Sequence, residues 1–280
     1  MKQLAILGSP IDAALSPVLH RAAYTTMGSP WDSWNYRAID CRPDQLAHFL
    51  GELDDTWAGL SLTMPLKRVA VPLLDEVSQL VRATGTANTV VVRDGRLIGE
   101  NTDVHGMMQA LREAGVSNAQ SMTVLGAGAT AATALAAARA LNCGRVTTVV
   151  RAPDRCGQLA QAASQLGISL DVRPWSQAAE HLTADVVVSA VPPQAADTLA
   201  AAWTKSPGVF LDVVYRPWPS VLATAAERAG RRVLSGLPML VHQAAQQLRL
   251  QTGRADIPLE AMRHAALAGR GDAAEPPKPT

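Results

Sequence analysis

Short apolar runs alternate with segments whose apolar residues recur at helical spacing along most of the 280-residue chain. Apolar runs bounded by glycine, proline, asparagine or aspartate predict strands, and the longer periodic segments predict helices. In the first part of the chain the pattern predicts strands at 2–7, 34–39, 57–62, 89–93 and 96–99, and helices at 16–27, 43–52, from about 66, and at 103–114. This alternation is typical of α/β proteins with largely parallel sheets.

The same pattern starts again at residue 121 with a strand, a glycine turn and an alanine-rich helix. The later elements are predicted as strands at 145–150, 169–172, 184–188 and 209–213, and as two final helices at 238–250 and 258–268. We therefore predict two α/β domains, one over 1–103 that helices within 237–269 complete, and one over 104–236. Residues 270–280 are rich in proline and predict a disordered tail.

Composition narrows the class of ligand and the location. Hydrophobic residues make up 48% of the chain and charged residues 18%, which is sufficient for a substantial core. The net charge of +1 gives no electrostatic reason to expect nucleic acid or a membrane surface as a partner, and no apolar run is long enough to span a bilayer. Three cysteines, none in a Cys-x-x-Cys pair, and scattered histidines argue against disulfides and a metal site. We expect a cytoplasmic protein that binds a small molecule.

A glycine turn, Gly126-x-Gly128-x-x-Ala131, stands directly between a strand and the alanine-rich helix. The first glycine permits the tight bend, the second lets a pyrophosphate approach the backbone, and the small third residue allows the helix to pack closely on the strand. Free N–H groups at the helix N-terminus then favour phosphate. The motif favours a Rossmann-type dinucleotide-binding domain over a purely structural turn, with the cofactor held by Gly126, Ala127, Gly128, Ala129 and Thr130.

The residues after the next strand indicate which dinucleotide binds. NAD-binding proteins usually place Asp or Glu there for the ribose hydroxyls, whereas this chain has Arg151, followed one turn later by Arg155. A guanidinium suits a 2′-phosphate because it donates two parallel hydrogen bonds and stacks on adenine. We predict NADP as the cofactor. The alternatives are two ordinary surface arginines, or Asp154 in the role of the acid.

Polar side chains follow several strands of the first unit, at the place where open α/β sheets bind ligands. Their hydroxyls, amides, one ammonium and one carboxylate suit a polyhydroxylated ligand. Each also has a plain structural explanation, such as a helix N-cap for Ser16 and Asp103, a turn residue for each asparagine, or a solvated side chain for Lys67. The set comprises Ser16, His20, Thr63, Lys67, Asn88, Thr89, Asn101, Thr102 and Asp103.

Seven stretches of the chain resemble shikimate dehydrogenases, of the actinobacterial kind, in order and spacing. They are LGSPIDAALSPVLH (7–20), GLSLTMPLK (59–67), GTANTVV (85–91), GENTDVHG (99–106), VLGAGATA (124–131), LDVVYRPWPSVL (211–222) and GLPMLVHQAA (236–245). The resemblance implies a two-domain enzyme, monomer or homodimer, that reversibly reduces 3-dehydroshikimate to shikimate with NADPH. That reaction belongs to chorismate and aromatic amino acid biosynthesis.

The resemblance also implies roles for particular residues. Lys67 and Asp103 would be the catalytic pair, which fits a ketone whose oxygen must gain a proton as hydride arrives. Substrate would be held by Ser16, Thr63, Asn88, Asn101, Tyr215 and Gln243. Four further residues would line the cofactor site, namely Val191, Val213, Gly236 and Met239, with Val213 and Met239 on the nicotinamide side.

The chain departs from the family pattern in its first motif. That motif usually has two serines, but the first is Ala14 here, so one hydroxyl expected for the substrate carboxylate is missing. Arg21 and Ser61 each stand where an asparagine is usual. Two alternatives therefore stay open: a relative that acts on quinate, an aminated shikimate or another ring acid, and a non-catalytic sensor of NADP and a ring acid. The retention of Lys67 and Asp103 argues against the sensor.

Overall fold

The computed structural model describes residues 1–271, whose strands form two six-stranded sheets. The first sheet consists of β1 (Gln3–Gly8), β2 (Asn35–Asp40), β3 (Trp57–Leu62), β4 (Glu76–Val77), β5 (Thr89–Arg93) and β6 (Arg96–Glu100). The second consists of β7 (Ser121–Leu125), β8 (Arg145–Val150), β9 (Leu170–Pro174), β10 (Val186–Ser189), β11 (Val209–Asp212) and β12 (Arg232–Leu234). The helices are α1 (Ser16–Met27), α2 (Pro43–Gly51), α3 (Leu66–Val69), α4 (Gln79–Thr84), α5 (Thr102–Glu113), α6 (Ala129–Ala140), α7 (Gly157–Gln165), α8 (Val221–Arg228), α9 (Gly236–Thr252) and α10 (Leu259–Gly271).

The first sheet has the strand order β2-β1-β3-β5-β6-β4, with β5 antiparallel to β3 and to β6. Strand β3 lies in its centre and all six of its residues are buried, which explains why Ser61 is the one polar residue in an otherwise apolar strand. Alternate residues of β1 serve two cores: Leu4 and Ile6 pack with α1, α9 and α10, while Ala5 and Leu7 pack with α2 and α3. The predicted hairpin between β5 and β6 is confirmed.

The second sheet is parallel throughout, in the order β12-β11-β10-β7-β8-β9. Counted within this unit, the order is 3-2-1-4-5-6, the arrangement of dinucleotide-binding folds, in which ligands bind where the strand order reverses. The alanine-rich face of α6 is buried against this sheet. The predicted fold class, a two-domain α/β protein with a Rossmann-type second unit, is confirmed. None of the helices described for this chain has the length and apolar character to cross a membrane.

Helices α5 and α9 pack tightly together and connect the two sheets. A Cβ atom at Gly106 on α5 would lie 2.4 Å from the carbonyl oxygen of Met239 on α9, so only glycine permits this approach. Helices α9 and α10 also pack against α1. The predicted domain boundary after residue 103 falls in the first turn of α5.

Two details differ from the sequence pattern. The helix predicted from about residue 66 is the single turn α3, because a 3₁₀ turn containing Pro72, which has no N–H to donate, follows it. At the other end of the chain, α10 continues to Gly271, beyond the start of the predicted tail. The rest of that tail, 272–280, lies outside the described residues.

Candidate active site

Two cavities meet at the junction of the two sheets. The larger is a cleft of about 910 Å³ whose walls come from the segment after β3 and from the glycine turn after β7. The smaller is a pocket of about 200 Å³ at the end of the first sheet. Five residues line both, namely Thr63, Lys67, Thr130, Val213 and Tyr215. A ligand in the pocket therefore lies directly beside a ligand in the cleft.

Lys67 lies where β3 gives way to α3. The chain turns after Leu62, and the N–H of Leu66 donates to the carbonyl of Thr63 over 2.8 Å, which starts the short helix. The carbonyl of Lys67 accepts a 2.8 Å hydrogen bond from the N–H of Ala87, so its backbone is fixed beside β5. The lysine side chain is only 17% exposed. It is a half-buried group at the meeting point of the two cavities, not a solvated surface lysine.

Asp103 faces Lys67 from the first turn of α5. Lys67 Nζ donates to Asp103 Oδ2 over 2.5 Å, and Asn88 Nδ2 donates to Oδ1 over 2.8 Å. Both carboxylate oxygens are therefore held, and the positive end of the α5 dipole stabilises their charge. The carboxylate fixes the direction of the ammonium, whose other N–H groups remain available to a ligand in the pocket.

Asn88 joins Asp103 to helix α9. Its Nδ2 also contacts Thr102 Oγ1 at 2.9 Å and Gln243 Oε1 at 3.1 Å, and its Oδ1 accepts from the backbone N–H of Thr102 over 2.7 Å. Gln243 Nε2 in turn donates to the carbonyl of Leu240. Asn88 and Gln243 both line the pocket, as the family resemblance implies.

Ser16 is buried in the pocket wall and does not cap α1. The N-cap position is Leu15, no side chain makes a cap hydrogen bond there, and the Ser16 side chain is buried. The interpretation of Ser16 as a helix cap is therefore wrong. Thr63 and Tyr215, the other predicted hydroxyl-bearing residues, line the same pocket.

A hydrogen-bond chain under the pocket was not predicted from the sequence. The Tyr36 hydroxyl donates to Ser61 Oγ over 2.7 Å, and Ser61 Oγ donates to Gln247 Oε1 over 2.9 Å. One sequence signal points to it: Gln247 follows Gln243 by four residues and so lies on the same face of α9. In the structure, Tyr36 is the only buried residue of the edge strand β2.

His20 also belongs to this hydrogen-bond network and is fully buried. Its ring stacks on Tyr36, its Nδ1 faces the Tyr24 hydroxyl at 3.4 Å, and its Nε2 faces Gln247 Oε1 at 3.3 Å. These partners suit a neutral ring with the proton on Nε2. Burial lowers the pKa of His20 from 6.5 to about 3, and the hydrogen bond to Gln247 opposes this change.

This pKa predicts an acid-sensitive contribution to stability. Between pH 6.5 and about 3 the unfolded chain binds a proton at His20 that the folded chain excludes, so the free energy of unfolding falls as the pH falls. We expect a His20→Gln variant to lose about 2 kcal/mol less stability than the parent between pH 7 and pH 5, as measured by urea unfolding. The exposed His264 provides the control, His264→Gln. Parallel pH profiles for His20→Gln and the parent would contradict the assignment.

Asn101, to which the resemblance gives a substrate contact, is not among the residues that line the pocket. Its Nδ2 donates to Thr84 Oγ1 at 3.2 Å and to Thr86 Oγ1 at 2.9 Å, so its amide secures the turn between α4 and β5.

Gly236 and Met239, expected at the cofactor, line the pocket beside Val213. A Cβ atom on Gly236 would lie 2.0 Å from the carbonyl oxygen of Val213, so glycine is required for this contact.

The glycine turn has the geometry that a pyrophosphate needs. Gly126 has a φ of 113°, and a Cβ atom there would lie 3.0 Å from the carbonyl oxygen of Ala190. Apart from Gly128 itself and its two chain neighbours, no atom of residues 1–271 lies within 4 Å of a Cβ built at Gly128, so the backbone is open to the cleft. The other predicted cofactor residues in the cleft wall are Ala127, Ala129, Thr130, Arg151, Arg155, Val191 and Val213. Asp154 is exposed and does not line the cleft.

Charge in the large cleft is of one sign. Its lining within residues 1–271 includes five cationic side chains and no aspartate or glutamate. The cations are Lys67, Arg68, Arg151, Arg155 and Arg216. Such a lining favours a ligand with several negative charges, as a phosphorylated dinucleotide has. No group of three His, Cys, Asp or Glu side chains in the described part of the chain is arranged to hold a metal ion.

Fold and site together define a two-domain α/β protein of the dinucleotide-binding class, with a lysine–aspartate pair where the cofactor cleft meets a second pocket. Three family models match the chain: the shikimate dehydrogenase substrate binding domain over 6–90, an NADP oxidoreductase (coenzyme F420-dependent) domain over 121–214 and the shikimate 5′-dehydrogenase C-terminal domain over 236–267. The chain belongs to the shikimate dehydrogenase family.

Individual relatives cover nearly the whole chain. The shikimate dehydrogenase (NADP(+)) of Oleidesulfovibrio alaskensis is 34% identical over 259 residues, which is 89% of each chain. The crystal structure of Mycobacterium tuberculosis shikimate dehydrogenase is similar with a TM-score of 0.85 and 36% identity, and the similarity covers 96% of this chain and 99% of that one. The Thermus thermophilus enzyme in complex with NADP(H) and shikimate has a TM-score of 0.83 and 32% identity, over 96% of this chain and all of its own.

Proposed function

We propose that the protein is an NADP-dependent shikimate dehydrogenase that reversibly reduces 3-dehydroshikimate to shikimate. The observation that carries this proposal is the Lys67–Asp103 pair at the meeting point of the cofactor cleft and the pocket. Two relatives named above support it: the Oleidesulfovibrio alaskensis protein is a shikimate dehydrogenase (NADP(+)), and the Thermus thermophilus structure contains NADP(H) and shikimate.

NADPH, when bound in the cleft, supplies a hydride to the ketone carbon. Residues of the chain act on the carbonyl oxygen. Lys67 donates a proton to the carbonyl oxygen and stabilises the negative charge that develops there, because its ammonium is fixed by Asp103 and only 17% exposed. Asp103 keeps the ammonium oriented and accepts a hydrogen bond from a neighbouring substrate hydroxyl.

The pocket walls bind the rest of the ring acid. Hydroxyls of Ser16, Thr63 and Tyr215 and the amide of Gln243 line the pocket and suit the hydroxyls and carboxylate of the substrate. Asn88 acts by holding Asp103 and Gln243 in place. The proposal includes a cytoplasmic location, which three free cysteines support, and a monomer or homodimer.

The direct test is to incubate purified protein with NADPH and 3-dehydroshikimate and to identify the product by chromatography. We expect one shikimate for each NADPH oxidised. Oxidation of NADPH without formation of shikimate would contradict the proposed reaction.

A second candidate within the family is a dehydrogenase of quinate or an aminated shikimate. The observation in its favour is Ala14, which packs against an apolar cluster and offers no hydroxyl to the substrate carboxylate. A hydrogen bond to a carboxylate contributes about 1.5–3 kcal/mol, so its loss weakens shikimate binding without excluding shikimate as the substrate.

Arg151 provides a test of the proposed cofactor. It follows β8 in the wall of the cleft, and we expect Arg151→Ala to raise the KM for NADP by about 10-fold or more, with little change for NAD, because only NADP carries a 2′-phosphate. Steady-state kinetics with both cofactors measure this. Arg139→Ala, at an exposed position on α6, controls for the loss of a charge. Equal changes for both cofactors would exclude Arg151 from the 2′-phosphate site.

A further inference from the structure

Arg68 reaches across the large cleft from the first sheet's side to the dinucleotide-binding unit. It follows Lys67 in α3, and its Nη1 donates to Oε1 of Gln158 in the first turn of α7. Gln158 comes three residues after Arg155, so the contact brings Arg68 to the part of the cleft wall where Arg155 lies. Arg68 therefore belongs to the unit of the first sheet and contacts the dinucleotide-binding unit.

The guanidinium of Arg68 is not fully satisfied by the protein. Its Nη2 is buried and has no hydrogen-bond partner within residues 1–271, although the side chain lines the cleft. Burial also lowers the pKa of this guanidinium from its ordinary value, the direction expected for a desolvated cation. A buried donor without a partner is costly, and a charged one more so. No carboxylate of the described residues lines the cleft, so an anionic ligand is the available partner.

We propose that Arg68 binds the 2′-phosphate of NADP together with Arg151 and Arg155. The inference rests on the proposed cofactor and adds to it a residue from the other unit. Arg68, from the unit of the first sheet, would then supply one of three guanidinium groups. Arg151 and Arg155, which follow β8, would supply the other two. The unpartnered Nη2 gains an acceptor, and the phosphate gains a charge-assisted hydrogen bond.

A phosphate bound in this way would fix the position of the two cleft walls relative to each other. Arg68 adjoins Lys67, which acts on the substrate, while Arg151 and Arg155 belong to the second unit. A phosphate bound by all three connects the two walls of the cleft. Cofactor binding would therefore bring Lys67 and the dinucleotide into a fixed relation before hydride transfer.

Calorimetric titration with two fragments of the cofactor tests the proposal without any turnover. Adenosine 2′,5′-bisphosphate carries the 2′-phosphate, whereas ADP carries the pyrophosphate without it. We expect Arg68→Gln to weaken binding of adenosine 2′,5′-bisphosphate by about tenfold and to leave ADP binding within twofold of the parent. Arg82→Gln, which removes an exposed arginine of α4 outside the cleft, should change neither.

Three other results would each contradict a different assignment. Unchanged binding of adenosine 2′,5′-bisphosphate by a folded Arg68→Gln protein would overturn the role of Arg68 alone. Equal weakening of both fragments would place Arg68 at the pyrophosphate instead. If the parent protein itself binds the bisphosphate no better than ADP, the proposed NADP specificity fails, and the inference about Arg68 fails with it.

Discussion

A Lys67→Met variant is expected to turn over shikimate and NADP about 10³-fold more slowly than the parent while remaining folded. Methionine keeps most of the volume of the side chain but cannot donate a proton or stabilise an oxyanion. The loss should appear mainly in kcat, because the lysine acts on charge that develops in the transition state. Steady-state kinetics and thermal unfolding of the same preparation give both quantities.

The matched control for this prediction is Lys205→Met. Lys205 is exposed and lies outside both cavities, so the same chemical change there should leave kcat unchanged. A Lys67→Met protein with near-normal kcat and a normal unfolding transition would show that another group protonates the carbonyl oxygen.

The second large effect is expected for Asp103→Asn, with kcat reduced by about 10²-fold. Asparagine has nearly the same shape, but its neutral amide no longer fixes the Lys67 ammonium by a charge-assisted hydrogen bond. The variant should also be less stable, because a half-buried cation loses its partner.

The double variant separates a coupled pair from two independent residues. If Asp103 acts by orienting Lys67, then Lys67→Met with Asp103→Asn should be about as slow as Lys67→Met alone. Multiplied effects on kcat, near 10⁵-fold, would mean that Asp103 acts on the chemical step by a route other than Lys67, in addition to its hydrogen bond with the substrate hydroxyl.

Much of the scaffold follows from local sequence. The short, largely apolar run of β3 and the alanine-rich stretch of α6 are both distinctive in the sequence, and both elements form as predicted. The helix expected after Leu66 ends within one turn because of Pro72, and the short strands β4 and β12 have too few residues to show a period.

The direction of individual side chains is what the sequence does not determine. Asn101 and Asp103 stand two residues apart, yet one secures a turn and the other faces Lys67, since the start of α5 points them to different sides. Ser61 and Gln247 are 186 positions apart in the chain, and only the packing of α9 on the first sheet brings them together. The family resemblance indicates the Lys67–Asp103 pair because this chain retains both residues. It does not indicate Arg68, whose partner Gln158 belongs to the other unit.

The initial rate of nicotinamide reduction with a panel of ring acids decides whether the protein is a shikimate dehydrogenase. Shikimate, quinate and an aminated shikimate would each be combined with NADP and with NAD, and the absorbance of the reduced nicotinamide followed. We expect the highest kcat/KM for shikimate with NADP, despite Ala14. A higher value for quinate or the amino compound would show that the altered carboxylate site has changed the substrate. No reduction with any pair, by folded protein that binds NADPH, would contradict the assignment of Lys67 and Asp103 to catalysis.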